Sequence, residues 1–141
     1  SVRRLKAPDK DYHHLVAAAA NAKALLERGV LVNAGAHGQR EGLGMHWEIR
    51  AMVMGGMSPM EALATATINP ARYMGFDKDL GSIEPGKLAD LLVIDGDPLA
   101  DIGVSDRLVH VLQNGRLYAE PTMAETVTGT HRPAPLYWQQ R

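Results

Sequence analysis

Residues 57–98, MSPMEALATATINPARYMGFDKDLGSIEPGKLADLLVIDGDP, carry the most readable local structure in the chain. Ser58 is placed to cap a helix, Pro59 suits the first helical position, and Glu61 stands three residues on to close a capping box. Asn69-Pro70 repeats the device: Pro70 disfavours helical backbone at Asn69, and Asn69 is itself a good N-cap. The second helix is short and stops at Gly75. After the turn-rich GSIEPGK comes LADLLVID, an apolar run that reads as a buried strand and ends in the turn residues Asp95-Gly96-Asp97-Pro98.

The residues on either side extend this pattern. Asp9 or Asp11 opens a helix to Arg28, with Leu15, Ala18, Ala19, Ala22, Leu25 and Leu26 at the three-and-four spacing of one apolar face. Gly29 supplies a left-handed C-terminal cap. Residues 30–34 are apolar without alternation, which fits a strand buried on both faces as in a parallel sheet. The Gly-rich loop GAHGQREGLG follows, then a helix over residues 45–54. Met45, Met52, Met54, Met57 and Met60 read as core packing. Beyond Pro98 the character turns to β: RLVHVLQ alternates, Asn114-Gly115 is a strong type I′ hairpin signal, and RLYA returns as the partner strand. From Glu120 the tail has no clear period, and its closing PLYWQQR is apolar enough to dock.

Composition bounds the function. The chain has 141 residues, 45% hydrophobic and 22% charged, with a net charge of -1. There is no basic surplus for nucleic acid or an anionic membrane surface. No stretch approaches the roughly 18 consecutive apolar residues of a membrane span. The opening SVRRLKAPDKD has no apolar region behind it and does not read as a signal peptide. Cysteine is absent, so disulfides, a thiol nucleophile and Cys-based metal sites are excluded. The absence of cysteine says little about compartment.

The order T-x-N-P-A-x-x-x-G, followed by G-S-I-x-P-G-K-x-A-D-L-x-V-x-D, resembles the C-terminal end of the metal-dependent amidohydrolase superfamily. Thr67, Asn69, Pro70, Ala71 and Gly75 carry the first part, and residues 81–95 the second. GAHGQREGLGMHWE and VTGTHRPAPLYW are most similar to large bacterial members with a TolB-like propeller ahead of the hydrolase. The resemblance implies an α/β plus β chain, the C-terminal βα piece of a TIM-like (β/α)8 barrel followed by strands of a small composite β-sandwich. On that expectation residues 1–75 are the last barrel unit, 76–120 the strands of the small β-domain, and 121–141 an extended tail.

The same resemblance singles out His37. It stands just past the end of the expected strand, between Gly35 and Gly38, and barrel enzymes take catalytic residues from that end of their strands. Gly35-Ala36-His37 lies where the family usually has Gly-Thr-Asp, with the Asp at the metal and accepting a proton from the attacking water. An imidazole can bind metal or act as a base near neutral pH, so His37 is both the catalytic and the metal-ligand candidate. The competing reading is a polar loop histidine without a metal. Gln39, Arg40 and Glu41 are substrate contacts or simply solvated loop residues. His46 and Glu48 lack the spacing of a helical metal pair, while His13, His14, His110 and His131 read as surface or structural. GSIEPGK has glycine and lysine but not the order or spacing of a phosphate loop.

The resemblance therefore implies a parent hydrolase of amide-type C–N bonds in small molecules, using divalent metal, commonly zinc, to activate water. The family's H-x-H pair is missing, so the chain cannot assemble that centre alone and reads as a fragment. The alternative is a non-catalytic packing module. A lone barrel strand with unpaired edges favours association, and a homo-oligomer or domain-swapped dimer is expected.

Overall fold

The computed structural model describes residues 9–37, 40, 42–120 and 122–130. Gln39 and Glu41 of the loop, and His131 with the closing PLYWQQR, lie outside the described residues. Four helices come first: α1 (Asp9–Glu27), α2 (Leu43–Met54), α3 (Pro59–Thr65) and α4 (Ile68–Met74). Strand β1 (Leu91–Ile94), a 3₁₀ turn (Ile102–Val104), and strands β2 (Leu108–Gln113), β3 (Arg116–Ala119) and β4 (Ala124–Glu125) follow.

The Ser58 box forms in full. Ser58 Oγ accepts from the Glu61 backbone N–H at 3.2 Å, and Glu61 Oε2 accepts from the Ser58 N–H at 2.7 Å. These bonds hold the Glu61 carboxyl below the usual carboxylate range, led by the Ser58 backbone. Gly75 ends α4 in the left-handed region, φ 77°. Asn69 does not act as the cap foreseen for it. The helix begins two residues earlier, with Thr67 at its N-cap and no side-chain cap bond, and Asn69 is buried within it.

Ile49, Met52, Met57 and Ala62 form the helical core, packed by Ala22, Leu26, Val32, Met45 and Leu63. Ala19 is also buried, but Leu15, Leu25 and Ala18 of the expected α1 face are exposed, as are Met54 and Met60. Helix α1 lies close on α2 because Gly55 has no side chain. A Cβ there would stand 2.4 Å from Ala19 atoms.

The expected barrel piece is corrected at residues 30–34. They form no strand: the Ala34 N–H donates to Thr65 O at 2.8 Å, and Val32 O accepts from the Asn69 amide at 2.9 Å. Val30 and Leu31 are 46% and 38% exposed, so the run is not buried on both faces. A parallel strand needs strand neighbours for its backbone groups, and here helix-side groups meet them instead. The sheet is antiparallel in the order β1-β2-β3-β4 and open at both ends. The chain thus has an α/β fold with a small unclosed antiparallel sheet, rather than parallel TIM-barrel topology or a sandwich.

The sheet is built around the β2–β3 hairpin expected at Asn114-Gly115. Leu92 pairs Val111, Val111 pairs Tyr118, and Tyr118 pairs Glu125. Asn114 and Gly115 take φ 49° and 76°, the left-handed pair that a type I′ turn needs. Asp90 anchors this hairpin tip, accepting the Asn114 N–H at 2.6 Å, while the Gly115 N–H donates to Ala89 O at 3.0 Å. Helix α2 joins sheet and helices. Arg50 Nη2 donates to Gly103 O and to Asp106 Oδ1, both at 2.7 Å.

Candidate functional site

His37 lies on the loop between α1 and α2, exposed to solvent. Three helices set the backbone that leads to it. Asn69 of α4 holds Val32 O, Thr65 O at the end of α3 holds the Ala34 N–H, and Glu48 Oε2 of α2 accepts the Gly35 N–H at 3.1 Å. The Ala34 side chain is buried, so the path is fixed up to that residue and becomes exposed from Gly35 onward. The loop touches α2 again at Ala36, whose Cβ would lie 3.3 Å from a Cβ at Gly44.

The other histidine near this region faces elsewhere. His46 Nδ1 lies 3.3 Å from Ser105 Oγ. Burial pushes the His46 imidazole below its ordinary pKa, opposed by Asp106 and assisted by Arg50. Ser105 is almost fully buried, so the pair knits α2 to the sheet and offers no exposed nucleophile. His13 and His14 are exposed on α1.

Among the described residues, no group of three or more His, Cys, Asp or Glu side chains could hold a metal ion. Zinc, expected from the resemblance, therefore has no ligand set among the described residues. The described residues do not fit that metal as a site of their own.

An open groove of about 950 Å³ lies on the far side of α3 and α4, against the GSIEPGK elbow. Met60, Leu63, Ile68 and Ile83 line it beside Ser82 and Lys87. Ser82 Oγ stands 2.5 Å from both Lys87 Nζ and Glu84 Oε1. Lys87 Nζ also pairs with Glu84 Oε1 at 3.3 Å. The trio is a clasp that shapes the elbow.

Residues 9–118 match the sequence model of the Amidohydrolase family. The chain belongs to the amidohydrolase family. An adenine deaminase of Rubrobacter xylanophilus is 37% identical over 79 residues, 54% of this chain and 13% of that protein. An imidazolonepropionase of Shouchella clausii is 36% identical over 110 residues, 72% of this chain and 24% of that one. A solved Xaa-Pro dipeptidase with methionine bound in its active site superposes with a TM-score of 0.65 at 35% identity, across 72% of this chain and 25% of its own. The chain thus spans about an eighth to a quarter of these amidohydrolase relatives.

Two residues central to the site were not legible as such. Glu48 sits on a helix 13 residues after the backbone group it binds, and no local pattern marks that pairing. Asn69 was legible as a cap signal, which points to a different role.

Proposed function

We propose that this chain acts as the packing portion of a larger amidohydrolase-family hydrolase and is not catalytic by itself. The observation that carries this reading is its uncovered apolar surface. Val30 and Leu31, leading into the His37 loop, are exposed together with Leu43, Trp47, Tyr73, Met74 and Phe76. Apolar side chains in such number fit a surface covered by further protein. The coverage supports this, since the chain matches only about a quarter of an imidazolonepropionase. Alone, the chain buries part of that surface by self-association, as a homo-oligomer or a dimer with exchanged elements. Light scattering at micromolar concentration is expected to give a mass above that of the monomer; a clean monomer counts against the packing reading.

The larger protein, on this reading, hydrolyses amide-type C–N bonds of small molecules, with its metal donors supplied mainly from outside the described residues. His37 contributes from the loop, at the metal or beside the attacking water. Its place ahead of α2, on a backbone held by three helices, supports this. Replacing His37 by Ala in that protein is expected to abolish most hydrolysis while leaving the fold intact. Unchanged turnover removes His37 from the mechanism. The propeller-linked members remain the proposed kin, on the loop and tail sequences GAHGQREGLGMHWE and VTGTHRPAPLYW.

A further inference from the structure

A strand leading to a reactive loop ordinarily draws its hold from ladder bonds on both sides. Residues 30–34 have no such ladder, so the aim of His37 depends on a few individual ties. Those at Val32 and Ala34 lie before the loop turns outward. The Glu48 carboxylate takes the Gly35 N–H, two residues ahead of His37. A Cβ built on Gly35 would meet nothing within 4 Å. Gly44, on the first turn of the same helix, leaves room for Ala36 to lie against it.

On the reading that His37 serves the reaction, we infer that Glu48 is the positioning residue of the His37 loop. Its carboxylate fixes the Gly35 backbone on α2 and so sets where His37 leaves the helical layer. An ionised acceptor gives a stronger tie than a neutral one. The tie reaches across the loop from a rigid element, which is how a site side chain acquires a fixed position. In this arrangement Glu48 acts through the Gly35 backbone.

The test follows the Gly35 amide in the full chain by ¹H–¹⁵N spectroscopy. Glu48→Gln, whose side-chain oxygen can still accept, should retain the exchange protection of that amide. Glu48→Ala should speed Gly35 exchange about tenfold or more. A Gly35 amide that exchanges at the same rate in Glu48→Ala overturns the tie. In the hydrolase that carries this stretch, Glu48→Ala should lower kcat about 100-fold with KM little altered, and Glu48→Gln should recover most of the loss. An unaltered kcat in Glu48→Ala overturns the positioning role even if His37→Ala is inactive. Full turnover by His37→Ala, with Gly35 exchange as expected, overturns the His37 reading and leaves the tie standing.

Discussion

Asn69→Asp separates two roles that the same residue could play. As an N-cap, Asp is as good as Asn, and a negative charge near a helix N-terminus adds a few tenths of a kcal/mol. A cap therefore predicts a neutral or slightly stabilising change. The structure predicts the reverse. Asn69 is 6% exposed and its amide donates to Val32 O at 2.9 Å. Aspartate removes the donor and sets a buried carboxylate against a carbonyl oxygen. Losing the bond costs about 1 kcal/mol, and leaving two buried acceptors face to face adds about 2 kcal/mol. A loss of about 3 kcal/mol at neutral pH lowers the melting midpoint by roughly 10 °C.

The same substitution has a pH signature. Burial and the facing carbonyl raise the pKa of the new carboxyl in the folded state, so the folded chain holds a proton that the unfolded chain has released. Stability relative to the unmodified chain then falls as pH rises above the unfolded value of about 3.9. Below that value the protonated acid can donate to Val32 O, and most of the loss returns. Urea denaturation of both proteins across this range reads the difference directly. If Asn69→Asp stays within about 0.5 kcal/mol of the unmodified chain at pH 7, Asn69 is a cap and the proposed hold on residues 30–34 is wrong.

Gly55→Ala tests the close approach of α1 and α2. Its φ of -79° suits any residue, but the new Cβ would meet Ala19 and Ala20 backbone atoms at 2.4 and 2.6 Å, so the helices must separate at a cost of about 3 kcal/mol. Gly75→Ala, at φ 77° with nothing within 4 Å, should cost only about 1 kcal/mol of backbone strain; denaturant midpoints in the opposite order would refute the packing account. Acid should loosen the joint between α2 and the sheet in two stages. Burial lowers the His46 pKa, and the Arg50 hydrogen bond lowers that of Asp106, so both groups bind protons more readily when unfolded. The His46 contribution is present above about 6.5 and shrinks as pH falls below it, and the Asp106 contribution shrinks below about 3.9. His46→Gln should flatten the upper stage of a stability–pH curve; an unaltered curve assigns that stage elsewhere.

Much of the local structure was legible because its causes are local. The Ser58 box closes within four residues, and Asn114-Gly115 imposes a hairpin whose register then pairs Leu112 with Leu117. Helix α1 was placed nearly to its ends, yet only part of its predicted apolar face is covered. Periodicity names an apolar face without saying what covers it. Of the candidate site, the sequence offered only the position of His37, whose role is a proposal. Its support by Glu48, Thr65 and Asn69 depends on groups 13 to 37 residues apart.

Residues 57–98 thus determined by themselves the Ser58 cap, the Gly75 stop, the position of strand β1 and the family to which the chain belongs, but not the burial of Asn69 or the exposure of Leu92 and Val93. Each rests on a turn, a cap or a short motif whose energy is spent among near neighbours. Only the tertiary structure decided whether residues 30–34 would be a strand. An apolar run has no backbone partner of its own. Here Asn69 and Thr65 supplied the hydrogen bonds in place of another strand, so a sequence that looks like a buried strand became the held approach to the His37 loop.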